Sequence, residues 1–154
     1  ARSMGAIRSE SVQLICAHPP YLNSIRYTHG ISGDLSALKD PIEFCAELGK
    51  VARECLRILK PNGFCAVLIG DVRRDGTFID LGFQVKKIFI DVGFQVYENI
   101  VKTQHKARET MFWQSRKRKI EQNGATPDKT RHLLLIAHEY LFIFRKPSVQ
   151  SSQR

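Results

Sequence analysis

The pattern that most restricts this chain is a short apolar run, then a segment with helical spacing, then a second apolar run. Residues 11–17 read Ser-Val-Gln-Leu-Ile-Cys-Ala and end abruptly at His18-Pro19-Pro20-Tyr21. A run this short that meets two prolines reads as a buried strand entering a loop, because proline can neither continue a helix nor donate to a ladder. Asp40-Pro41 then opens a segment in which Cys45, Leu48, Ala52, Cys55 and Leu59 recur every three or four residues. Asp40 can accept from the free amides of the first helical turn while Pro41 occupies it. The helix is expected to stop at Lys60-Pro61-Asn62-Gly63. Residues 64–69, Phe-Cys-Ala-Val-Leu-Ile, follow as a continuous apolar run ahead of Gly70-Asp71, which predicts a strand buried on both faces. Strand, helix and strand at this spacing make a right-handed crossover, which sets residues 12–17 and 64–69 parallel.

The rest of the chain extends that sheet. A second helix is predicted over residues 79–91, with Phe83, Ile88, Phe89 and Val92 on its inner face and Gly93 as its C-cap. Residues 94–102 alternate as a strand, Gly124-Ala125-Thr126-Pro127 makes a turn, and a last strand lies over residues 139–144, antiparallel to 94–102. Between Tyr21 and Asp40 the chain is rich in Gly, Ser and Asn with aromatic interruptions, which suits a loop shaped for binding. The class is α/β, with helices packed on a short sheet. Ligands in such folds bind beyond the carboxyl ends of the parallel strands, where residues 18–21 and 70–75 both emerge.

Composition excludes several function classes. With 154 residues and 43% hydrophobic content the chain has the makings of one globular domain and not of a disordered segment. No apolar run approaches the ~20 residues that span a bilayer, and the first five residues hold no signal-peptide core, so a cytoplasmic protein without a membrane partner is expected. Cys16, Cys45, Cys55 and Cys65 sit singly in apolar segments and read as reduced core thiols. The five histidines form no ligand pattern with them, and no metal is expected. The net charge of +9 is unevenly placed: Lys102, Lys106, Arg108, Arg116, Lys117, Arg118 and Lys119 face Glu109 alone, with Phe112-Trp113 among them. A solvated surface would give the same arithmetic, but aromatics set among cations suit base stacking beside phosphate contacts.

The motif that carries chemistry is His18-Pro19-Pro20-Tyr21. Two prolines fix the loop before anything binds, and they leave carbonyl acceptors beside an aromatic ring. Acceptors plus a ring suit a planar group bearing an amino substituent, although a stiff strand exit and a core tyrosine would look the same. The stretch from Ser11 to Tyr27 resembles the motif of amino-directed DNA methyltransferases, in which Asp, Asn or Ser precedes Pro-Pro-Tyr. The similarity continues in order through Gly33-Asp34-Leu35-Ser36, Leu59-Lys60-Pro61-Asn62-Gly63, Ile69-Gly70-Asp71-Val72-Arg73, Gln104-His105 and His138-Glu139-Tyr140-Leu141-Phe142-Ile143-Phe144-Arg145-Lys146, nearly the whole chain.

The resemblance implies a Rossmann-like methyltransferase sheet and methyl transfer from S-adenosyl-L-methionine to the amino group of an adenine or cytosine flipped from duplex DNA. Family members hold the amine with the side chain before the first proline and with that proline's carbonyl, and stack the base on the tyrosine. The matching residues are His18, Pro19 and Tyr21, with Pro20 completing the motif; His18 and Pro19 would also border the cofactor. His18 departs from the usual residue: a neutral imidazole offers one acceptor and an imidazolium none. Asn23 and Tyr27 are candidates for contact with the extruded nucleotide. Asp71 either lines the cleft or serves the turn. Lys102, Lys106, Arg108, Trp113, Arg116, Lys117, Arg118 and Lys119 are the candidates for contact with DNA.

One expected part is missing. The family's cofactor site needs a glycine-rich turn after a strand, and no Gly-x-Gly occurs in this sequence. Ala1-Arg2-Ser3 resembles the end of a segment that follows the cofactor half in similar proteins. Residues 1–146 are therefore read as a target-base half with a basic DNA-contacting insertion near 102–119, followed by a polar tail over 147–154. The cofactor half is expected upstream or in a partner chain. Transfer to an RNA base, or a noncatalytic nucleic-acid-binding remnant, are the alternatives; a C5-cytosine mechanism is disfavoured because no Pro-Cys nucleophile is present.

Overall fold

A computed structural model describes residues 2–28, 31–74, 77–103 and 136–148. The predicted turn at 124–127 lies outside these residues. β1 (Val12–Ala17) leads through a single-turn 3-10 helix at Leu35–Ala37 into α1 (Pro41–Ile58), which returns the chain to β2 (Leu59–Ile69). β1 and β2 pair in parallel, with Ile15 opposite Cys65 and Ala17 opposite Val67, as the crossover pattern requires. β6 (His138–Arg145) lies antiparallel to β2, and β5 (Gln95–Thr103) antiparallel to β6, for an order of β1-β2-β6-β5.

α1 starts where its capping residues place it. The Asp40 carboxylate accepts from the Ile42 amide at 2.9 Å and Pro41 fills the first turn. Phe44, Leu48, Ala52, Cys55 and Ile58 form its buried stripe; Cys45 sits at the margin, and Leu59 already belongs to β2. Lys60 to Gly63 do not separate helix from strand. They loop out of β2, since Leu59 pairs with Val12 and Phe64 already with Leu14. Asn62, a residue that tolerates left-handed backbone, takes φ 65° there, and Lys146 clamps the excursion through Asn62 N–H to its carbonyl and its own N–H to Gly63, both at 2.9 Å.

α2 (Leu81–Val92) begins two residues later than predicted, because residues 77–79 are taken up in a small hairpin of β3 (Val72–Arg74) and β4 (Thr77–Ile79) in a stretch whose sequence carries no strand pattern. Its buried side is Leu81, Gly82, Val85 and Phe89, whereas Phe83 is 61% exposed. Six residues before Phe89 is roughly 240° around a helix, so both rings cannot face inward. Gly93 ends the helix at φ 117°, and the Phe94 amide returns to the Phe89 carbonyl at 3.1 Å while the two rings lie 5.4 Å apart.

Both helices cover the same face of the sheet. Phe44, Leu48, Val85 and Phe89 pack there with Cys65, Val67, Ile69, Phe142 and Phe144, and Phe89 stacks on Phe144 at 4.8 Å. β2 is therefore fully buried on that face only, and its Phe64, Ala66 and Leu68 are half-buried on the other. Cys16 shares that second face and is exposed rather than a core thiol. The two-sided burial expected of β2 is thus one-sided among the described residues.

Phe89→Ala should cost about 3–5 kcal/mol in urea unfolding, and Phe83→Ala less than about 0.5. Equal costs would contradict the orientation of α2.

Candidate active site

β1 and β2 end side by side, so the Pro-Pro loop leaves the sheet next to Gly70. Leu22, one residue beyond the motif, is fully buried in the core and adopts φ 53°, which pins the loop from its far side. Pro19, Pro20 and Tyr21 are half-buried and His18 is exposed. The Tyr21 ring packs closely on Gly70: a Cβ there would stand 3.2 Å from Tyr21 Cε2 and 3.4 Å from Glu139 Cγ.

A continuous polar line runs out from this point. His18 Nε2 is 3.0 Å from the Tyr21 hydroxyl, whose O–H donates to Glu139 Oε1 at 2.6 Å. Glu139 is buried at 7% exposure on β6, and Lys102, its cross-strand partner on β5, donates to Oε2 at 2.7 Å. Lys102 thus joins the line through Glu139 while most of its side chain stays exposed. Glu139 is not among the candidates that sequence reasoning finds. Its signal is a lone carboxylate ahead of the apolar run Tyr-Leu-Phe-Ile-Phe, a charge that needs a partner if buried.

Asp71, at the end of β2, is buried and turned into the fold. Its Oδ1 accepts from the Gly82 amide at 2.8 Å, anchoring the start of α2. Burial pushes its carboxyl above the usual range, and the Gly82 amide draws it back. Tyr140 stands beside the same carboxyl against Gly82, and His138 Nε2 lies 2.8 Å from the Tyr140 hydroxyl. Asn23 accepts from Arg74, which ties the loop after β1 to the hairpin after β2.

Tyr27 is 63% exposed on a loop built around Asp34. The Asp34 carboxylate takes Thr28 Oγ1 at 2.6 Å, Ser36 Oγ at 2.7 Å and the Ser36 amide at 2.8 Å, and buried Ser36 accepts the Tyr27 amide at 2.9 Å. These donors lower the Asp34 pKa to about 2, the Thr28 hydroxyl most of all. The structure thus gathers His18, Pro19, Pro20 and Tyr21 with Lys102 and Glu139, keeps Asn23 and Tyr27 on the adjoining loop, and uses Asp71 to fix α2. Lys106, Arg108, Trp113, Arg116, Lys117, Arg118 and Lys119 lie outside the described residues.

In chemical terms, a rigid loop carries an imidazole and proline carbonyls beside a half-buried phenol ring held by a buried carboxylate. That set can hold the N–H groups of a planar amine from one side.

A family model described as DNA methylase matches residues 12–153. Among solved structures, a Thermus thermophilus protein described as a DNA modification methylase, complexed with S-adenosyl-L-methionine, is 24% identical at TM-score 0.61, covering 93% of this chain and 51% of that one. The PvuII cytosine-N4-specific DNA methyltransferase is 19% identical at TM-score 0.67, covering 92% and 44%. A SAM-dependent methyltransferase from Methanosarcina mazei is 12% identical at TM-score 0.51, covering 95% and 64%. The likeness in fold is to Rossmann-like methyltransferases, and the chain spans about half the length of the Thermus and PvuII proteins. No curated protein matches the chain.

Because the folded pKa of Asp34 lies below the ordinary carboxylate value of 3.8, its contribution to loop stability is present above that value and is lost as pH falls toward about 2. The Ser36 amide resonance should titrate with a midpoint near 2; a midpoint at 3.8 would show that the cluster does not form.

Proposed function

The chain belongs to the DNA methylase family, and from that premise we propose that it serves methyl transfer from S-adenosyl-L-methionine to the exocyclic amino group of adenine or cytosine in duplex DNA. The observation that carries this reading is the seating of His18-Pro19-Pro20-Tyr21 on Gly70 at the carboxyl ends of the two parallel strands, with the Tyr21 hydroxyl held by a buried carboxylate.

The amine of a nucleobase is a poor nucleophile because its lone pair is delocalised into the ring. Acceptors on its two hydrogens draw the nitrogen toward a tetrahedral geometry and localise the pair. His18 and the Pro19 carbonyl are the acceptors offered here, and proline cannot spoil the set by presenting an N–H of its own. Tyr21 gives the base a stacking surface, which binds any base once it has left the duplex. The loop is fixed in advance by the prolines, by Leu22 in the core and by Asn23 on Arg74, so the acceptors require no reordering when the amine arrives.

When bound, the cofactor supplies an electrophilic methyl group on a sulfonium. No glycine-rich turn follows a strand among the described residues, so they offer no backbone cradle for its adenosyl group. These residues bind and orient the methyl acceptor. The cations from Lys106 to Lys119 are assigned to phosphate contacts, with Trp113 among them, on the strength of their clustering in the sequence.

The test is labelled-methyl transfer to duplex DNA by the whole protein, with tRNA as a parallel acceptor. His18→Ala should lower kcat by roughly 10²-fold with little change in KM, as for loss of one prearranged hydrogen-bonding group, and His18→Asn should keep most activity. Full activity in His18→Ala would remove His18 from the amine contact, and transfer to tRNA alone would make the substrate RNA.

A further inference from the structure

Glu139 meets the exposed motif loop through Tyr21, and it is one of three buried polar or charged residues among those described. Its position has a consequence for the far end of the line, at His18. A carboxylate paired with an ammonium accepts only, and both oxygens of Glu139 are engaged: Oε2 by Lys102 Nζ and Oε1 by the Tyr21 O–H. A phenol has one proton. With that proton committed to Glu139, the Tyr21 oxygen can meet His18 only with a lone pair. The His18 nitrogen 3.0 Å away, Nε2, must therefore bring a hydrogen.

We propose that Glu139 is a positioning residue that fixes the tautomer of His18 through the Tyr21 hydroxyl, placing the ring proton on Nε2 and the lone pair on Nδ1, the atom that then accepts from the target amine. The last step rests on the reading of His18 as an amine-contacting residue; the tautomer itself rests only on the hydrogen-bonded line.

The direction of the line matters because imidazole can reverse it. Were the carboxylate absent, the Tyr21 O–H could donate to Nε2, and the neutral ring would carry its proton on Nδ1. His18 would then present a donor to an incoming amine, a mismatch between two N–H groups. Asp or Asn at this position would have acceptor oxygens without such help. A histidine in the same place needs a neighbour to choose its acceptor, and the buried carboxylate on β6 is the group that does so. The line also assigns the Tyr21 hydroxyl a task beyond stacking, so that Tyr21→Phe is not a neutral change even though the ring remains.

Long-range proton–nitrogen NMR of the full chain reads the two ring nitrogens of His18 directly. In the neutral form, wild type should show Nε2 at the protonated limit and Nδ1 at the unprotonated limit, a single tautomer. Tyr21→Phe, which keeps the ring, and Glu139→Leu, which removes the carboxylate, should each move both nitrogens toward values averaged over two tautomers. A wild-type proton on Nδ1, an averaged mixture in wild type, or shifts unmoved in Tyr21→Phe would overturn the proposal, whether or not Glu139→Leu folds. The outcomes also separate this inference from the function it builds on. A single Nε2–H tautomer in a protein whose His18→Ala variant methylates normally would sink the amine contact and leave the positioning intact. A mixed tautomer with an inactive His18→Ala variant would do the reverse.

Discussion

The parallel pairing of β1 with β2 is the constraint on which the site depends. α1 must carry the chain back across the covered face before β2 can begin, and once it does, both strands end on the same side. The Pro-Pro loop and the Gly70-Asp71 turn are then neighbours by topology, although some fifty residues of chain separate them. Gly70 turns that adjacency into contact. A Cβ at this position would press on both the Tyr21 ring and the Glu139 side chain, and the two would have to give by a few tenths of an ångström.

Two polar clusters, each of a histidine, a tyrosine and a carboxylate, flank the end of β2. His18, Tyr21 and Glu139 form one, joined by hydrogen bonds, and the His138–Tyr140 pair beside Asp71 forms the other. The first faces the loop after β1. The second ties α2 to β2 through Asp71 and the Gly82 amide. Adjacent residues of β6 supply both, because alternation along a strand sends Glu139 and Tyr140 to opposite faces. A buried carboxylate is costly without partners; Glu139 has the Tyr21 hydroxyl and Lys102, and Asp71 has the Gly82 amide. Polar contacts thus hold the end of the sheet, while the aromatic cluster of Phe89, Phe142 and Phe144 fills its middle.

Much of the frame is legible in the residues alone. The crossover, the Asp40-Pro41 start, the Gly93 end and the antiparallel last pair all follow from local chemistry that the tertiary structure leaves in place. Three features are not. Lys-Pro-Asn-Gly reads as a break, whereas the strand pairs on both sides of it and Lys146 clamps it as an excursion within a strand. Phe83 reads as core by its size, whereas its angle around the helix sends it outward. Residues 64–69 read as buried on two sides because apolar composition records the burial a strand can sustain, and both described helices lie on one side. In the site, the Pro-Pro-Tyr motif is visible as sequence, but Glu139 is not. A hydrogen bond across 118 positions has no local signature, and a single carboxylate in a strand looks the same whether it faces solvent or a phenol.

The central claim is that this loop, braced by Gly70 and Glu139, presents acceptors to the exocyclic amine of a DNA base. Mass spectrometry of nucleosides from DNA of cells producing the whole protein tests it most directly. N6-methyladenine or N4-methylcytosine should rise above the level of cells lacking the protein, and the rise should disappear with Tyr21→Ala. C5-methylcytosine as the new base, or an amino-methylated base formed equally by Tyr21→Ala, would contradict it.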